Sequence, residues 1–158
     1  MYQALCQRPV AEPAGVAFLP IQFDLSIGGY FGTSYAVKLY PNGLWYSRCR
    51  HCEFSEAAAS GAQTLAIPAP ALWRRFRAEL DALNAWTWRR YYPNVVRVRD
   101  GYGFHFQIEY ADRQLISSGD QCFPGAEGEP IPIIDRVPGD PFDHFCAAVS
   151  RLIGQPFR

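Results

Sequence analysis

The chain has 158 residues, with 15 Lys+Arg against 15 Asp+Glu, 49% apolar residues and only 19% charged ones. That length predicts one domain, with a core large enough to hold without metal or disulfide. The apolar half excludes wholesale disorder, and the zero balance excludes a strongly basic nucleic-acid binder.

Residues 1–22, punctuated by Pro9, Pro13 and Pro20, read as an irregular N-terminal arm, and 23–158 as a single α+β domain. Phe23, Leu25 and Ile27 alternate with polar or small residues as a half-buried strand does, and Gly28-Gly29 bends or ends it. Tyr35, Val37 and Leu39 alternate again, Pro41-Asn42-Gly43 supplies a turn, and Leu44-Trp45-Tyr46 returns. Asn-Gly tolerates the positive φ of a tight hairpin turn. Thr64 to Ile67 reads as a further strand.

Leu72, Trp73, Phe76, Leu80 and Leu83 then recur at helical steps, with Arg74, Arg75, Arg77, Glu79 and Asp81 off that stripe. Val96 and Val98 alternate with Arg97 and Arg99 before an Asp100-Gly101 turn. Phe104, Phe106, Ile108 and Tyr110 face one way and His105, Gln107 and Glu109 the other; after Ala111-Asp112, Gln114 to Ser117 pairs back. Residues 119–141 form a Gly/Pro-rich acidic insertion, of a length that in compact domains is either functional or disordered. The last helix has Asp140 as N-cap, Pro141 at its first position, a stripe of Phe142, Phe145, Cys146, Val149, Leu152 and Ile153, and Gly154 just past its end. The class is therefore α+β, a mainly antiparallel sheet with two amphipathic helices on one face.

At an offset of 69 residues, Tyr35, Val37 and Leu39 fall on Phe104, Phe106 and Ile108. Trp73, Phe76, Leu80 and Leu83 likewise fall on Phe142, Phe145, Val149 and Leu152. Two readings stand side by side: a duplicated hairpin-helix unit, or two segments of the same type slid into agreement.

No stretch approaches the roughly 18 apolar residues of a membrane helix, and Met1 to Gln22 lacks the layout of a secretory signal. Cys6, Cys49, Cys52, Cys122 and Cys146 make an odd number, which argues against a complete disulfide framework and for a reducing cytoplasm. Fourteen Arg to one Lys reads as GC-rich, bacterial coding.

Chemistry-bearing motifs are sparse. Cys49-Arg50-His51-Cys52 has the spacing of a zinc half-site or of a redox pair, but no second C-x-x-C completes it. Two free thiols at a strand end is the expectation, with no metal and no cofactor. There is no G-x-S-x-G elbow, His105 and His144 read as surface histidines, and Asp100-Gly101-Tyr102-Gly103 lacks the lysine of a phosphate loop. These observations assign no catalytic residue.

Charge is split along the chain: seven Arg to two acids over 71–99, four Arg to nine acids over 100–158. Trp86, Trp88, Arg89, Arg90, Tyr91, Tyr92, Arg97 and Arg99 combine stacking faces with positive charge. Arg and aromatic residues are also the types that dominate protein–protein hot spots, and the neutral total gives little long-range pull on a polyanion. A protein partner is therefore the first expectation. Its contacts are expected on those residues, on Asp120, Glu127, Glu129 and Asp135 of the insertion, or on both. Nucleic acid bound through 73–99 is the alternative, a Cys-based metal or redox protein the second alternative, and no membrane contact is expected.

The run Asp100-Gly101-Tyr102-Gly103-Phe104-His105-Phe106-Gln107-Ile108-Glu109-Tyr110, continued by Ser118-Gly119-Asp120-Gln121-Cys122-Phe123-Pro124 and the last helix, resembles small uncharacterised bacterial α+β proteins of immunity-protein style. In those, a DG-x-x-W-x-I-x-Y-x-D-G hairpin leads to S-G-x-N-x-Y-P and an amphipathic helix. Arg113 stands where their turn carries Gly, and residues 125–141 intervene before the helix. The resemblance implies an immunity protein or other interaction module and brings no catalytic residues with it. With the sparse motifs, the aromatic excess and the split charge, the leading expectation is a non-enzymatic cytoplasmic binding protein, such as an immunity protein that neutralises a cognate toxin.

Overall fold

The alternation in the first half is realised as three consecutive strands, β1 (Gln22–Gly29), β2 (Thr33–Tyr40) and β3 (Gly43–Arg50). The computed structural model describes residues 18–29, 31–51, 62–97 and 101–158. A short β4 (Gln63–Leu65) pairs with β3 and precedes helix α1 (Pro70–Ala82). A two-residue β5 (Tyr91–Tyr92), β6 (Tyr102–Glu109), β7 (Gln114–Asp120), a hairpin of β8 (Cys122–Pro124) and β9 (Pro130–Pro132), and helix α2 (Pro141–Ile153) follow. The main sheet has the order β4-β3-β2-β1-β6-β7-β5 and is antiparallel except where β5 joins β7. This is the expected α+β class, with both helices packed on the sheet.

Register carries the core. Leu25 of β1 sits between Val37 of β2 and Phe106 of β6, and Ile27 sits between Tyr35 and Phe104. One continuous apolar face results, and of these six inward residues all but Tyr35 are at most 3% exposed. Trp73, Phe76 and Leu80 of α1 and Phe142, Phe145, Val149 and Leu152 of α2 close onto it. Phe106 stacks on Phe145 at 4.4 Å and on Phe142 at 5.8 Å, and Phe23 meets Trp73 edge-on at 5.3 Å. Offset and edge geometries keep the ring quadrupoles in attractive contact while the rings bury a large apolar area. The opposite face bears Asp24, Lys38, His105 and Asp120, with Lys38 paired to Asp24 at 2.9 Å.

The caps of α2 form as expected. Asp140 accepts from the Asp143 N–H at 2.9 Å, Pro141 opens the first turn, and Gly154 ends the helix at φ 66°, a left-handed angle that costs glycine nothing. Beyond it, Phe157 is buried and the Tyr46 hydroxyl donates to the Pro156 carbonyl at 2.6 Å, so the tail folds back across the sheet.

Several expectations are corrected. Leu72 is 39% exposed and off the buried stripe of α1. The hairpin loop is Pro41-Asn42, closed by the Tyr40–Gly43 pair, and the positive φ falls on Gly43 alone. Val95 and Val96 form a bend, and Arg97 follows it at φ 52° with its N–H on Asn94 Oδ1 at 2.9 Å; the rest of that expected strand lies outside the described residues. The 119–141 segment is built into the fold. Its β8–β9 hairpin sinks Phe123 into the core, where it meets Phe142 at 4.7 Å. Pro124 and Pro130 face each other at the loop end of this pair, where a missing N–H costs little.

The 69-residue correspondence has a structural counterpart in the rows, since Val37 and Phe106 flank Leu25 and Tyr35 and Phe104 flank Ile27. The hairpins nevertheless run outward in opposite directions, β3 beyond β2 on one side of β1 and β7 beyond β6 on the other. That is a mirror relation, and no rotation that keeps both helices on one face superposes the two units. The residues of the expected N-terminal arm up to 17 lie outside the described residues.

Candidate functional site

The Arg/aromatic stretch divides into core residues and surface residues. Trp88 is buried 5.4 Å from Phe145, with its indole N–H unpartnered in the core. Tyr92 is fully buried 6.2 Å from Phe104. Trp86 is half-buried and committed to an internal cluster. Its Nε1 donates to Asp81 Oδ1 at 2.7 Å, its ring lies between the guanidinium groups of Arg77 and Arg113, and its edge meets Tyr110. Buried Arg77 makes a two-point contact to Asp112, at 2.9 and 2.6 Å, which holds that carboxyl below its ordinary range. Burial pushes the Tyr110 hydroxyl well above the usual tyrosine value. This cluster ties α1 to the β6–β7 turn, so Trp86 supports the fold instead of facing a partner.

Arg89, Arg90 and Tyr91 are different. Their side chains are exposed, Tyr91 by 57%, while their backbone is fixed at the sheet edge. The Arg89 carbonyl accepts from the Ser117 hydroxyl at 2.7 Å, and the Arg90 carbonyl accepts from the Ser118 N–H at 3.0 Å and its hydroxyl at 3.2 Å. These bonds create β5, which two residues of sequence cannot announce by alternation. The phenol of Tyr92 then acts twice: it accepts from the Arg89 N–H at 2.9 Å and donates to the Gly128 carbonyl at 2.9 Å.

Gly128 lies between Glu127 and Glu129 at the tip of the β8–β9 hairpin. Its φ is 77°, and a Cβ there would lie 3.0 Å from the Thr87 carbonyl oxygen. Glycine alone permits that approach. The acidic hairpin is thereby held against the Arg89–Arg90 segment. Glu129 turns back on its own hairpin, accepting from the Glu127 N–H at 2.8 Å, and those backbone donors hold its carboxyl below the ordinary glutamate value. The Glu127 side chain is exposed and makes no ion pair among the described residues. Asp120 is exposed one residue beyond the Tyr92–Gly119 pair, near the same edge.

The structure thus assembles Arg89, Arg90, Tyr91, Glu127 and Asp120 along one edge, with Glu129 shaping the hairpin. Asp135 is exposed on a separate 3-10 turn (Ile133–Asp135), Arg97 follows its bend, and Arg99 lies outside the described residues. Sequence distance hid this assembly, because the Tyr92 contact to Gly128 spans 36 positions.

The cysteine reading is revised in part. Cys49 is disulfide-bonded, which corrects the free-thiol expectation for that residue; Cys52 lies outside the described residues. Cys122 and Cys146 are buried free thiols, and burial pushes Cys146 up to about 12, so neither offers a thiolate at neutral pH. Among the described residues no group of three or more His, Cys, Asp or Glu is placed to hold a metal. His105 and His144 are exposed, as expected. No helix among the described residues is long and apolar enough to cross a membrane.

One feature went unread in the sequence: a hollow of about 520 Å³ lined by Thr33, Tyr35, Tyr102, Ile133, Arg136 and Arg158. Its trace in the sequence is a tyrosine near the same end of the inward rows of β2 and β6, Tyr102 one inward position beyond the level of Tyr35. No family model, curated protein or solved structure matches the chain.

Proposed function

We propose that the chain is a non-enzymatic protein-binding module of the immunity-protein kind, which neutralises a cognate toxin through the β5 edge and the neighbouring β8–β9 hairpin. One observation carries this reading. The Tyr92 hydroxyl joins the Arg89 N–H to the Gly128 carbonyl, so exposed Arg89, Arg90 and Tyr91 stand beside Glu127 on a backbone that is already ordered. Binding to such a surface loses little backbone entropy, because the bound conformation is pre-formed. Arg and Tyr are hot-spot residue types, and opposite charges side by side specify one orientation of a complementary protein.

The same adjacency disfavours the nucleic-acid alternative. A phosphate backbone brought to Arg89 and Arg90 would meet Glu127 as well, and the unlike charge weakens the field that would attract it.

The test is a native capture from the source cells, made with and without nuclease, run in parallel on wild type and on an Arg89→Glu/Arg90→Glu variant. A stoichiometric protein retained by wild type and lost by the variant is the expected result. Nucleic acid as the sole co-purifying species, or a partner held equally by both, refutes the proposal.

A further inference from the structure

At the end of the sheet where β1 passes to β2, the inward rows of β2 and β6 finish on Tyr35 and Tyr102. With Thr33 and Ile133 these rings wall the hollow of about 520 Å³, which Arg136 and Arg158 close. That volume lies within the usual range of small-molecule sites. None of these lining residues belongs to the proposed protein contact.

Its charged groups are fixed from behind. The Arg136 side chain is 9% exposed; its Nε and Nη2 bond to Asp140 at 2.7 and 2.8 Å, and Nη2 also bonds to Asp143 at 2.7 Å. Nη1 has no partner among the described residues. The Arg136 guanidinium lies 4.6 Å from the Phe123 ring centroid and 4.9 Å from that of Phe142, so it cannot swing away without losing both contacts. Arg158 is ion-paired to Asp143 and lies over the Tyr102 ring at 5.9 Å, and Arg48 lies over the Tyr35 ring at 5.8 Å. Neither tyrosine hydroxyl makes a hydrogen bond among the described residues. Burial keeps the Tyr102 phenol protonated far above its ordinary value, so it is a donor at neutral pH.

The lining selects the ligand. Asp140 and Asp143 hold the guanidinium groups from behind and no carboxylate side chain lines the hollow, so what faces it are donors, Arg136 Nη1, Arg158 and two tyrosine hydroxyls, beside walls made largely of two aromatic rings and an isoleucine. We propose that this hollow binds a monocarboxylate with an apolar body, its carboxylate on Arg136 Nη1, Arg158 and the tyrosine hydroxyls, and its body between Tyr35, Tyr102 and Ile133. Inorganic phosphate has nothing to offer the apolar walls. Arg–carboxylate hydrogen bonds are among the strong ones, and a donor fixed before binding loses little freedom. The carboxylate has two sources, a free small acid or the C-terminus of a peptide.

The test is calorimetric titration with phenylacetate, phenylacetamide, N-acetylphenylalanine and inorganic phosphate, on wild type, Arg158→Gln and Tyr102→Phe. Arg136 is left intact because it partners the N-cap of α2. Variants that keep the wild-type unfolding profile are compared. The expected result is one phenylacetate per chain, bound about 10-fold or more tighter than phenylacetamide, with that preference lost in Arg158→Gln and reduced in Tyr102→Phe. N-acetylphenylalanine above phenylacetate assigns the peptide source, and the reverse order assigns the small acid. Equal binding of acid and amide, tighter phosphate, an unchanged preference in Arg158→Gln, or no heat up to about 10 mM ligand overturns the proposal.

Discussion

Replacing Tyr92 by Phe keeps the ring beside Phe104 and removes one oxygen that serves two bonds. The Arg89 N–H loses its acceptor, and the buried Gly128 carbonyl loses its donor at 2.9 Å. An ordinary hydrogen bond contributes about 1 kcal/mol net, and a buried group left unpaired costs about 1–3 kcal/mol. The half-buried Arg89 amide can recruit water; Gly128 is enclosed by Thr87 and Trp88 and cannot. The two effects together predict a loss of about 2–3 kcal/mol in urea unfolding, with an unchanged denaturant slope because the same surface is exposed. At this chain length that corresponds to a melting temperature lower by about 5–10 °C. A loss below about 0.5 kcal/mol would refute the argument that this phenol joins the two segments.

Asp140→Ala removes the N-cap of α2 and the main partner of nearly buried Arg136, and a loss of about 3 kcal/mol or more is expected in the same unfolding assay. Tyr46, Tyr92, Tyr102 and Tyr110 all have hydroxyls raised by burial above the value they take when unfolded. Above about pH 10 the unfolded chain releases these protons while the folded chain keeps them, so stability is full below that pH and falls as it is exceeded. Denaturation midpoints measured from pH 8 to 11 check this, and a flat profile contradicts it. Cys122 and Cys146 are buried and raised in pKa, so a thiol reagent labels them only after denaturant is added; mass mapping of the labelled peptides shows which cysteines reacted.

Strands β1, β2 and β6 were readable because each is half-buried, and a half-buried strand writes its register as alternation. Helix α2 announced both ends through Asp140, Pro141 and Gly154, where cap chemistry is local. What escaped notice depends on contacts distant in sequence. Strand β5 exists because the Arg90 carbonyl meets Ser118, 28 positions away. The prolines of β8 and β9 disguised a hairpin as a loop, although Phe123 anchors it. Leu72 followed the helical period, yet only the narrower stripe of Trp73, Phe76 and Leu80 meets the sheet.

The candidate site divided in the same way. Residue types identified Arg89, Arg90 and Tyr91 as surface material, but equally suggested Trp88 and Tyr92, which fill the core. That the Arg pair and the acidic hairpin are neighbours rests on Gly128 approaching Thr87, and no local pattern encodes that.

The most direct measurement is hydrogen–deuterium exchange of the captured complex against the free chain. Added protection confined to residues 87–92 and 125–130 is the result predicted by binding through the β5 edge and the acidic hairpin. Protection elsewhere with those segments unchanged would contradict it.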